Sequence, residues 1–480
     1  MVKSNRNLTL HTDLYEINMI ETYWRQRIAN RKAVFELYFR KLPFKNGYAV
    51  FAGLARVIAY LEQLKFTNDD LDYLKKIGYR ADFLNYLAQY QFSATVRSVP
   101  EGEIVFANEP LIQVEGNIVD AQLVETAFLN FVNYQTLIAT KAARIKTVAG
   151  DDQLLEFGSR RAQETDAAIW GARAAYISGF DATSNVKAGE KFGIPVSGTH
   201  AHSLVQAFGS DYAAFKAYVA THRNSVFLVD TYDTLQSGVP AAIKVAKEFK
   251  NQTNFLGVRI DSGDMAALSK QVRHQLDQAG FWYAKIYASN DLDERTILNL
   301  KMQDAKIDVW GVGTKLITSF DQPALGGVYK MVAMEDAHGH MRGTLKLSNN
   351  AGKISTPGKK QIWRITRKDD DKFMGDYIAT TAEDPRTAGQ IELFDPEHPY
   401  MNKIIRDFEA RPLLREVFHH GKLADAPLSV EKIRRYAATE LHRLWPEYKR
   451  QLNPQEYPVH LSRELYQQKI ALIKRIRKAL

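Results

Sequence analysis

Seven clusters of polar and charged residues lie between Phe157 and Thr314, and each cluster directly follows a short, mostly apolar run. The runs are 154–156, 177–180, 194–196, 226–229, 255–260, 285–288 and 307–310. Strands of a parallel sheet are buried on both faces and therefore read as short apolar runs. Because the loops after the carboxyl ends of such strands carry the chemistry of β/α proteins, the pattern predicts one active-site rim.

One cluster places two carboxylates in a single loop, since Arg259 is followed by Asp261-Ser262-Gly263-Asp264. Two carboxylates this close can hold Mg²⁺ or bind the diol of a ribose. The alternative is structural: Asp261 or Ser262 would cap a helix, and Asp264 would lie near the positive end of the helix dipole. The residues alone leave both interpretations open.

The last run is closed by Gly311-Val312-Gly313-Thr314. The backbone amides exposed by two glycines, together with a threonine hydroxyl, form a cradle suited to a phosphate group. Phosphate sites after the last two strands are common in barrels. A tight turn that needs glycine for a positive φ explains the same residues equally well.

Arg160 and Arg161 directly follow Phe157-Gly158-Ser159. A guanidinium group can bind a carboxylate or a phosphate through two hydrogen bonds. The alternative is a pair of surface ion pairs. The position beside six other polar strand ends favours anion binding.

His200 and His202 are two residues apart at the end of another run. Either imidazole is suited to general acid or base chemistry, or to accepting a phosphoryl group. A metal pair is disfavoured because no third ligand stands at a suitable spacing. A structural role is the commoner fate of either histidine alone.

Thr12-Asp13-Leu14-Tyr15 stands apart from these clusters, near the start of the chain. Thr12 or Asp13 directly precedes a segment with helical periodicity, as a capping residue does. The residues alone therefore predict a helix start in which Tyr15 is a core aromatic.

The bulk composition is that of an ordinary globular protein, with 480 residues of which 45% are hydrophobic and 25% charged. This length predicts two or three structural units. No apolar stretch approaches the roughly 20 residues of a membrane span and no signal-like core is seen, so we predict a cytoplasmic protein. The absence of cysteine excludes disulfides, thiolate catalysis and zinc–thiolate sites. The net charge of +9 is dispersed, which disfavours nucleic-acid binding.

Repeated units of strand, polar loop and helix predict an α/β fold, either a β/α barrel or a doubly wound sheet. Around the repeat, the patterns predict a strand at 33–39, a helix at 48–64, short strands within 94–115, a long helix at 121–149 and a hairpin region ending at 361–365. Strands that flank a barrel on both sides can pair into one discontinuous domain. The last 80 or so residues are predicted to be mostly helical.

Taken together, the clusters resemble those of nicotinate phosphoribosyltransferase, and the resemblance covers nearly the whole chain. It rests on Thr12-Asp13-Leu14-Tyr15, Glu156-Phe157-Gly158-Ser159-Arg160-Arg161-Ala162-Gln163, Gly198-Thr199-His200-Ala201-His202-Ser203, Asp230-Thr231-Tyr232-Asp233-Thr234, Arg259-Ile260-Asp261-Ser262-Gly263-Asp264, Ser289-Asn290-Asp291, Gly311-Val312-Gly313-Thr314 and Pro357-Gly358-Lys359-Lys360-Gln361. Each motif is moderately specific. Their order and spacing together are strongly so.

The resemblance implies an ATP-assisted transfer of phosphoribose from phosphoribosyl pyrophosphate to the ring nitrogen of nicotinate. The products are nicotinate mononucleotide and pyrophosphate, and the reaction serves NAD synthesis. The implied fold is an irregular β/α barrel plus a discontinuous α/β sandwich domain, to which we add a helical C-terminal extension. The expected boundaries are 1–140 and 326–400 for the sandwich, 141–325 for the barrel and 401–480 for the extension. A homodimer with shared active sites is also implied.

Residue roles follow from the matching motifs. His202 would be phosphorylated by ATP, with Asp230 hydrogen-bonded to it as orienter. Asp261 would act in catalysis and, with Asp264, would hold the ribose diol and Mg²⁺. The residues expected to bind the remaining parts of the substrates are Asp13, Tyr15, Phe157, Arg160, Ser184, Thr199, Arg259, Gly311, Gly313 and Thr314.

Within that set, three groups have a distinct physical task. The glycines and Thr314 suit the 5′-phosphate, and Arg160 and Arg259 suit the anions. Phe157 would sandwich the flat pyridine ring together with Tyr15 of the partner subunit.

The choice between nicotinate and nicotinamide depends on Ser184-Asn185. Related nicotinamide enzymes carry an aspartate at the corresponding stretch, where it accepts the amide hydrogens. A carboxylate there would repel nicotinate and neutral groups would not, so the sequence favours nicotinate. The alternatives are the nicotinamide enzyme, a quinolinate enzyme that must also decarboxylate, and a non-catalytic binding protein on the same fold. Intact acid, arginine, histidine and glycine positions argue against the last.

Overall fold

The computed structural model describes residues 7–349, 353–394 and 402–479. The chain forms two compact units: the first comprises Met1–Leu137 with Ala324–Leu480, and the second Ile138–Pro323. Both units combine helices and strands, so the predicted α/β class is confirmed. Among the described residues, no helix is long and apolar enough to cross a membrane.

The elements of the first unit up to residue 124 are α1 (Leu14–Arg25), β1 (Lys32–Phe39), β2 (Ala49–Val50), α2 (Leu54–Leu61), α3 (Asn68–Lys76), α4 (Ala81–Ala88), β3 (Thr95–Ser98), β4 (Ile104–Val105), β5 (Ile112–Asn117) and α5 (Ile118–Leu123). The long helix α6 (Glu125–Ala149) contributes residues to both units.

The elements of the second unit after α6 are β6 (Gln153–Glu156), α7 (Glu164–Ile177), β7 (Ala182–Thr183), α8 (Val186–Phe192), α9 (His202–Phe208), α10 (Asp211–Val219), β8 (Asn224–Leu228), α11 (Val239–Glu248), β9 (Asn254–Ile260), α12 (Met265–Gln278), β10 (Lys285–Ser289), α13 (Glu294–Met302), β11 (Val309–Val312) and α14 (Thr314–Ile317).

The remaining elements of the first unit are β12 (Gly327–Glu335), β13 (Met341–Gly343), β14 (Lys360–Arg367), β15 (Phe373–Thr380), β16 (Gln390–Leu393), β17 (Lys403–Arg406), β18 (Phe408–Pro412), β19 (Arg415–His419), β20 (Lys422–Leu423), α15 (Val430–Arg443), β21 (Val459–Leu461) and α16 (Arg463–Ala479).

The second unit is built on a six-stranded parallel sheet. Its strand order is β7-β6-β11-β10-β9-β8, and Val196 makes a further parallel bridge to Thr183 in β7. β6 and β11 are the first and last strands of this sheet along the chain, and they are therefore neighbours. Because all six strands run in one direction, the polar clusters that follow them lie at one edge of the sheet.

Two of the seven predicted strands are wrong. The run 177–180 is apolar because Ile177 and Phe180 are buried, but Ile177 is the last residue of α7. The chain then turns at Gly179 with φ of 109°, and the strand is β7, inside the predicted polar loop. The run 194–196 makes only the bridge at Val196.

The first unit contains a seven-stranded antiparallel sheet of order β13-β12-β1-β5-β3-β19-β20. A second sheet has the order β18-β14-β15-β21. Strands from before and after the second unit thus pair directly, as β1 does with β12 and β3 with β19.

Two predictions for this unit are corrected. The segment 48–64 begins with β2, and helix α2 starts only after Gly53, whose φ is 115°. The segment after residue 401 is not a helical extension, because β17 to β21 lie in it. Of these strands, β19 belongs to the seven-stranded sheet and β18 to the four-stranded sheet. These strands were missed because they are half-exposed: in β19, only Phe418 is buried, and charged residues hide the alternation.

Candidate active site

Glu156 ends β6 and is almost fully buried, with 1% of its surface exposed. Its carboxylate accepts hydrogen bonds from the hydroxyl of Thr183, at the end of β7, and from the backbone N–H of Gly158. Burial raises the pKa of the Glu156 carboxyl, and the two hydrogen bonds oppose that rise. The Glu156 carboxylate therefore fixes the turn after β6, in which Phe157 and Arg160 lie.

The Phe157 ring packs on the backbone of β11. Phe157 N–H donates to the carbonyl of Val312 at 2.8 Å. A Cβ added to Gly311 would lie 2.6 Å from the ring atom Cδ2 of Phe157, so only glycine permits this approach. Gly311 and Val312 belong to β11, which begins and ends two residues later than the predicted run.

The predicted phosphate loop is therefore confined to Gly313 and Thr314. Gly313 is the N-cap of α14, and its carbonyl accepts the N–H groups of Leu316 and Ile317 at 3.2 and 3.1 Å. Its φ is −116°, so a positive φ is not the reason for glycine here. A Cβ at Gly313 would lie 3.1 Å from the Phe157 carbonyl, which makes close backbone approach the reason.

We expect Gly311→Ala to displace the Phe157 ring. If Phe157 binds the pyridine ring, as the resemblance implies, the KM for nicotinate should rise about tenfold, more than the KM for phosphoribosyl pyrophosphate. Steady-state kinetics with each substrate varied would measure both. Gly389→Ala is the matched control, because a Cβ there meets nothing within 4 Å. An unchanged KM for nicotinate would show that the ring position is unimportant.

Asp261 follows β9, the neighbour of the outermost strand β8. The Ser289 hydroxyl donates a hydrogen bond to its carboxylate from the end of β10. The backbone N–H of Asp261 donates to Asp230 Oδ2 at 3.0 Å, and Ser262 Oγ donates to the same oxygen at 2.6 Å. Residues at or just after the ends of β8, β9 and β10 therefore fix the Asp261 loop.

His202 is the first residue of α9 and lies in this cluster. Its Nε2 is 3.9 Å from Asp261 Oδ2, and its Nδ1 is 3.1 Å from Thr231 Oγ1. The expected hydrogen bond from His202 to Asp230 is absent among the described residues. The Asp230 carboxylate is instead engaged by the Asp261 backbone and the Ser262 hydroxyl, so Thr231 is the orienting partner in this structure.

Arg259 supplies positive charge beside these acids. Burial lowers the pKa of its guanidinium, Asp261 and Asp230 oppose the shift, and the positive charge of Arg160 adds to it. Arg259 Nε and Asp230 Oδ1 are both buried and have no hydrogen-bond partner among the described residues. An open buried donor beside a second arginine is a site at which an anionic ligand can bind. Arg160 and Arg161 are exposed in the turn after Phe157.

Asp264 is the N-cap of α12, since its Oδ1 accepts the N–H groups of Ala266 and Ala267 at 3.0 and 3.1 Å. Asp264 thus lies at the positive end of the helix, as the structural alternative predicted. The predicted cap was wrong, because Asp264 is the capping residue and Asp261 faces His202. No group of three or more metal-ligating residues occurs among the described residues. Any metal here would need ligands from the substrate, as Mg²⁺ commonly takes.

Variants of Asp264 separate its capping role from the Mg²⁺-binding role that the resemblance implies. We expect Asp264→Ala to destabilise the protein by about 1 kcal/mol, and Asp264→Asn to keep the cap. The asparagine variant should still need severalfold more Mg²⁺ for half-maximal rate, because it lacks the negative charge. Thermal unfolding and Mg²⁺ titration measure the two effects. An unchanged Mg²⁺ requirement in Asp264→Asn would contradict the metal assignment.

Ser184 and Asn185 follow β7 at the same edge. Ser184 N–H donates to the carbonyl of Glu156 at 2.9 Å, and Asn185 Nδ2 donates to Ser159 Oγ at 2.7 Å. Asn185 Oδ1 also caps α8. Thr199, by contrast, only donates to the carbonyl of His200 at 3.2 Å and makes no other hydrogen bond among the described residues.

Asp13 and Tyr15 belong to the first unit. Asp13 is the N-cap of α1 without a side-chain capping bond, and its carboxylate accepts from Thr126 Oγ1 at 2.8 Å. Tyr15 is 45% exposed, so the predicted core aromatic is wrong. The buried member of this helix start is Glu16, whose carboxylate accepts the hydroxyls of Thr12 and Thr126.

Burial raises the pKa of Glu16 to about 7, while the Thr12 and Thr126 hydrogen bonds oppose the shift. An acid with a raised folded pKa loses stability as the pH rises from its unfolded to its folded pKa. The free energy of unfolding should therefore fall between pH 4.5 and 7, by about 1.4 kcal/mol for each unit of pKa difference.

We expect Glu16→Gln to remove that fall, and thermal unfolding at pH 5 and pH 8 would measure it. Glu62→Gln, at an exposed glutamate, is the control. Identical pH dependence in wild type and Glu16→Gln would contradict the assignment.

Three residues at the edge were quoted in the motifs but given no role: Glu156, Thr231 and Ser289. Glu156 accepts the backbone N–H of Gly158, Thr231 contacts the His202 ring, and Ser289 donates to the Asp261 carboxylate. In the sequence, only their position at or just after the end of a buried strand could have identified them.

Three family models match the chain. The model described as nicotinate phosphoribosyltransferase N-terminal domain matches residues 10–133, the nicotinate phosphoribosyltransferase family model matches 153–348, and the C-terminal domain model matches 359–469.

Individual proteins agree. A nicotinate phosphoribosyltransferase of Bacillus subtilis (strain 168) is 55% identical over 472 residues, which cover 98% of this chain and 96% of that protein. The crystal structure of human nicotinic acid phosphoribosyltransferase superimposes with a TM-score of 0.84 at 30% identity, covering 96% of this chain and 99% of that one. A nicotinate-nucleotide pyrophosphorylase of Pyrococcus furiosus has a TM-score of 0.70 at 22% identity over 92% and 98% of the two chains, which shows a shared fold alone.

Proposed function

The chain belongs to the nicotinate phosphoribosyltransferase family, and we propose that it transfers phosphoribose from phosphoribosyl pyrophosphate to the ring nitrogen of nicotinate. The observation that carries the residue assignment is the convergence of Arg259, Asp261 and His202 at one edge of the parallel sheet. Nicotinate mononucleotide and pyrophosphate are the products, and the reaction serves NAD salvage.

The reaction develops positive charge at the ribose carbon as pyrophosphate leaves. Asp261 is held by Ser289 and by the Asp230 loop, so its negative charge is already in place before the reaction. A fixed carboxylate near the ribose stabilises that charge without reorganisation. Arg259 and Arg160 lie close enough to influence each other and are suited to the anionic substrate groups.

Mg²⁺ fits the oxygen donors of this edge. Asp261 would hold it, and the free oxygen of Asp264 is a second donor beside its capping contact. When bound, the ion shields the charge of the pyrophosphate group. The amides at Gly313 and the hydroxyl of Thr314 suit the 5′-phosphate, at the turn where β11 passes into α14.

ATP coupling is assigned to His202. Its side chain is 40% exposed, and one ring nitrogen is oriented by Thr231 while the other faces Asp261. A partly exposed imidazole with a fixed orientation is suited to accept a phosphoryl group. Phosphorylation would add negative charge beside Arg259 and Asp261. It would thereby change how well the loops at this edge are ordered.

The preference for nicotinate rests on the neutral groups at Ser184 and Asn185. Asn185 is committed to Ser159 and to the cap of α8, and Ser184 is half-buried at the end of β7. Neither side chain brings a negative charge, so neither would repel the carboxylate of nicotinate.

The proposal includes three broader expectations. The neighbouring of β6 and β11 supports an irregular β/α barrel, and the pairing of β1 with β12 supports a discontinuous sandwich domain. The exposed Tyr15 supports a homodimer in which the partner subunit's Tyr15 completes the ring site. The absence of cysteine supports a cytoplasmic location.

A competition assay tests the substrate. With equal nicotinate and nicotinamide, phosphoribosyl pyrophosphate, Mg²⁺ and ATP, we expect nearly all product to be nicotinate mononucleotide. A majority of nicotinamide mononucleotide would move the chain to the nicotinamide enzymes. Quinolinate offered alone should give no product, because none of the proposed residue roles includes decarboxylation.

A further inference from the structure

The two histidines of the loop 197–203 are anchored to the same short stretch of chain. His200 is buried, with 8% of its surface exposed, and its Nε2 accepts the backbone N–H of Leu228 at 3.2 Å. His202 Nδ1 lies 3.1 Å from Thr231 Oγ1. The loop is thus held at two points, by the last residue of β8 and by the loop after it.

The first anchor lies along the outermost strand of the sheet, at its lateral side and not at the carboxyl ends of the strands. In the described part of the chain, β8 is an edge strand with β9 as its one partner, and Val229 N–H donates to the Arg259 carbonyl on that side at 3.1 Å. Successive N–H groups of a strand point to opposite sides, so the N–H of Leu228 points away from β9. The imidazole of His200 therefore takes the place that a further strand would occupy, and it satisfies a donor that would otherwise be buried unpaired.

The ring of His200 is fixed as an acceptor. A backbone N–H can only donate, so Nε2 carries a lone pair and the proton lies on Nδ1, 3.4 Å from the Ala201 carbonyl. Phe215 and Tyr218 of α10 flank the ring, with centroids 5.6 and 5.2 Å away. Burial lowers the pKa of His200 to about 4, so the ring is neutral at the pH of any assay above 5.

Few other contacts hold this loop in place. A Cβ added to Gly198 would meet nothing within 4 Å, and Thr199 bonds only within the loop among the described residues. At the start of the loop, Val196 bridges to Thr183, and the Ser197 N–H donates to the Thr183 carbonyl at 3.0 Å. Between Ser197 and the start of α9, the bond of His200 is therefore the anchor nearest to His202.

We propose that His200 is a positioning residue, which docks the 197–203 loop on the free edge of β8 and so holds the His202 imidazole in place for phosphorylation. The inference rests on the proposed function of His202. His200 itself touches no reacting group. Its action is through the backbone of Ala201 and the neighbouring Thr231 contact.

Two variants of His200 separate the acceptor from the volume of the ring. Glutamine places an oxygen near the position of Nε2, whereas leucine fills the space without an acceptor. In His200→Leu we expect phosphorylation of His202 by ATP to slow by about 10- to 100-fold, because a small misplacement of a reacting group has an effect of this size. The Leu228 amide should also exchange with solvent faster. His200→Gln should restore both readouts.

The exchange of the Leu228 amide does not depend on catalysis, so the two proposals can fail separately. If wild type forms no phosphohistidine, the function proposed for His202 is wrong, whereas Leu228 protection still reports the anchor. If His200→Leu is phosphorylated at the wild-type rate, or His200→Gln restores neither readout, the positioning role is overturned. Should the leucine variant not fold, His200→Asn replaces it, because its shorter side chain cannot reach Leu228. His274→Leu, at an exposed histidine of α12, is the control.

Discussion

Replacing Asp261 by alanine is expected to lower kcat/KM for phosphoribosyl pyrophosphate by about 10²- to 10³-fold, the usual effect of removing one fixed electrostatic group from a transition state. Asp261 is the acid in the cluster whose carboxylate faces His202, at 3.9 Å, and it is fixed by the Ser289 hydroxyl. In the proposed role, its loss removes the negative charge that stabilises the positive charge developing on the ribose. Steady-state kinetics at saturating nicotinate would measure the effect.

Two further variants make this result specific. Asp261→Asn keeps the size and the bond from Ser289 but not the charge, so it should be nearly as slow as alanine. Asp277→Ala removes an exposed acid of α12 that pairs with Arg273, and it should be silent. Normal kinetics in Asp261→Asn would show that the charge of Asp261 is unimportant, and the proposed role would be wrong.

The second large effect is expected at His202. In His202→Asn the stimulation of the rate by ATP should disappear, and no phosphohistidine should form, because asparagine has no nucleophilic ring nitrogen. Asparagine can still bond to Thr231, which keeps the loop in position. Rates with and without ATP, together with transfer of label from γ-labelled ATP, would measure both effects.

His274→Asn is the control for His202, since His274 is exposed on α12 and bonds only to Gln278 among the described residues. It should retain full stimulation by ATP. If His202→Asn kept full stimulation, ATP would act elsewhere, and the assignment of the phosphorylated residue would have to be abandoned.

The strands that the sequence predicts well are those whose buried apolar residues lie between clearly polar flanks. β9 and β10 lie within one residue of the predicted runs, because Val258, Ile260 and Ile286 are buried and their flanks are polar. β7 was missed because it has only two residues, Ala182 and Thr183. A strand that short leaves no periodicity to read, and the buried end of α7 supplied a false run just before it.

The candidate site shows the same division between residue type and contact. Asp261 and Asp264 were predicted as a pair, yet one faces His202 and the other caps α12. Local sequence cannot separate them because an aspartate suits both tasks. The bond of His202 to Thr231 was also beyond the sequence, since it joins residues 29 positions apart through a hydroxyl that carries no charge.

The proposed function is tested most directly by the formation of nicotinate mononucleotide from nicotinate, phosphoribosyl pyrophosphate and Mg²⁺, with and without ATP. We expect this product, with a rate that ATP increases in wild type. Product from nicotinamide alone would contradict the substrate assignment, and a nicotinate rate that is indifferent to ATP would contradict the coupling through His202. No product from either substrate would contradict the enzymatic function itself.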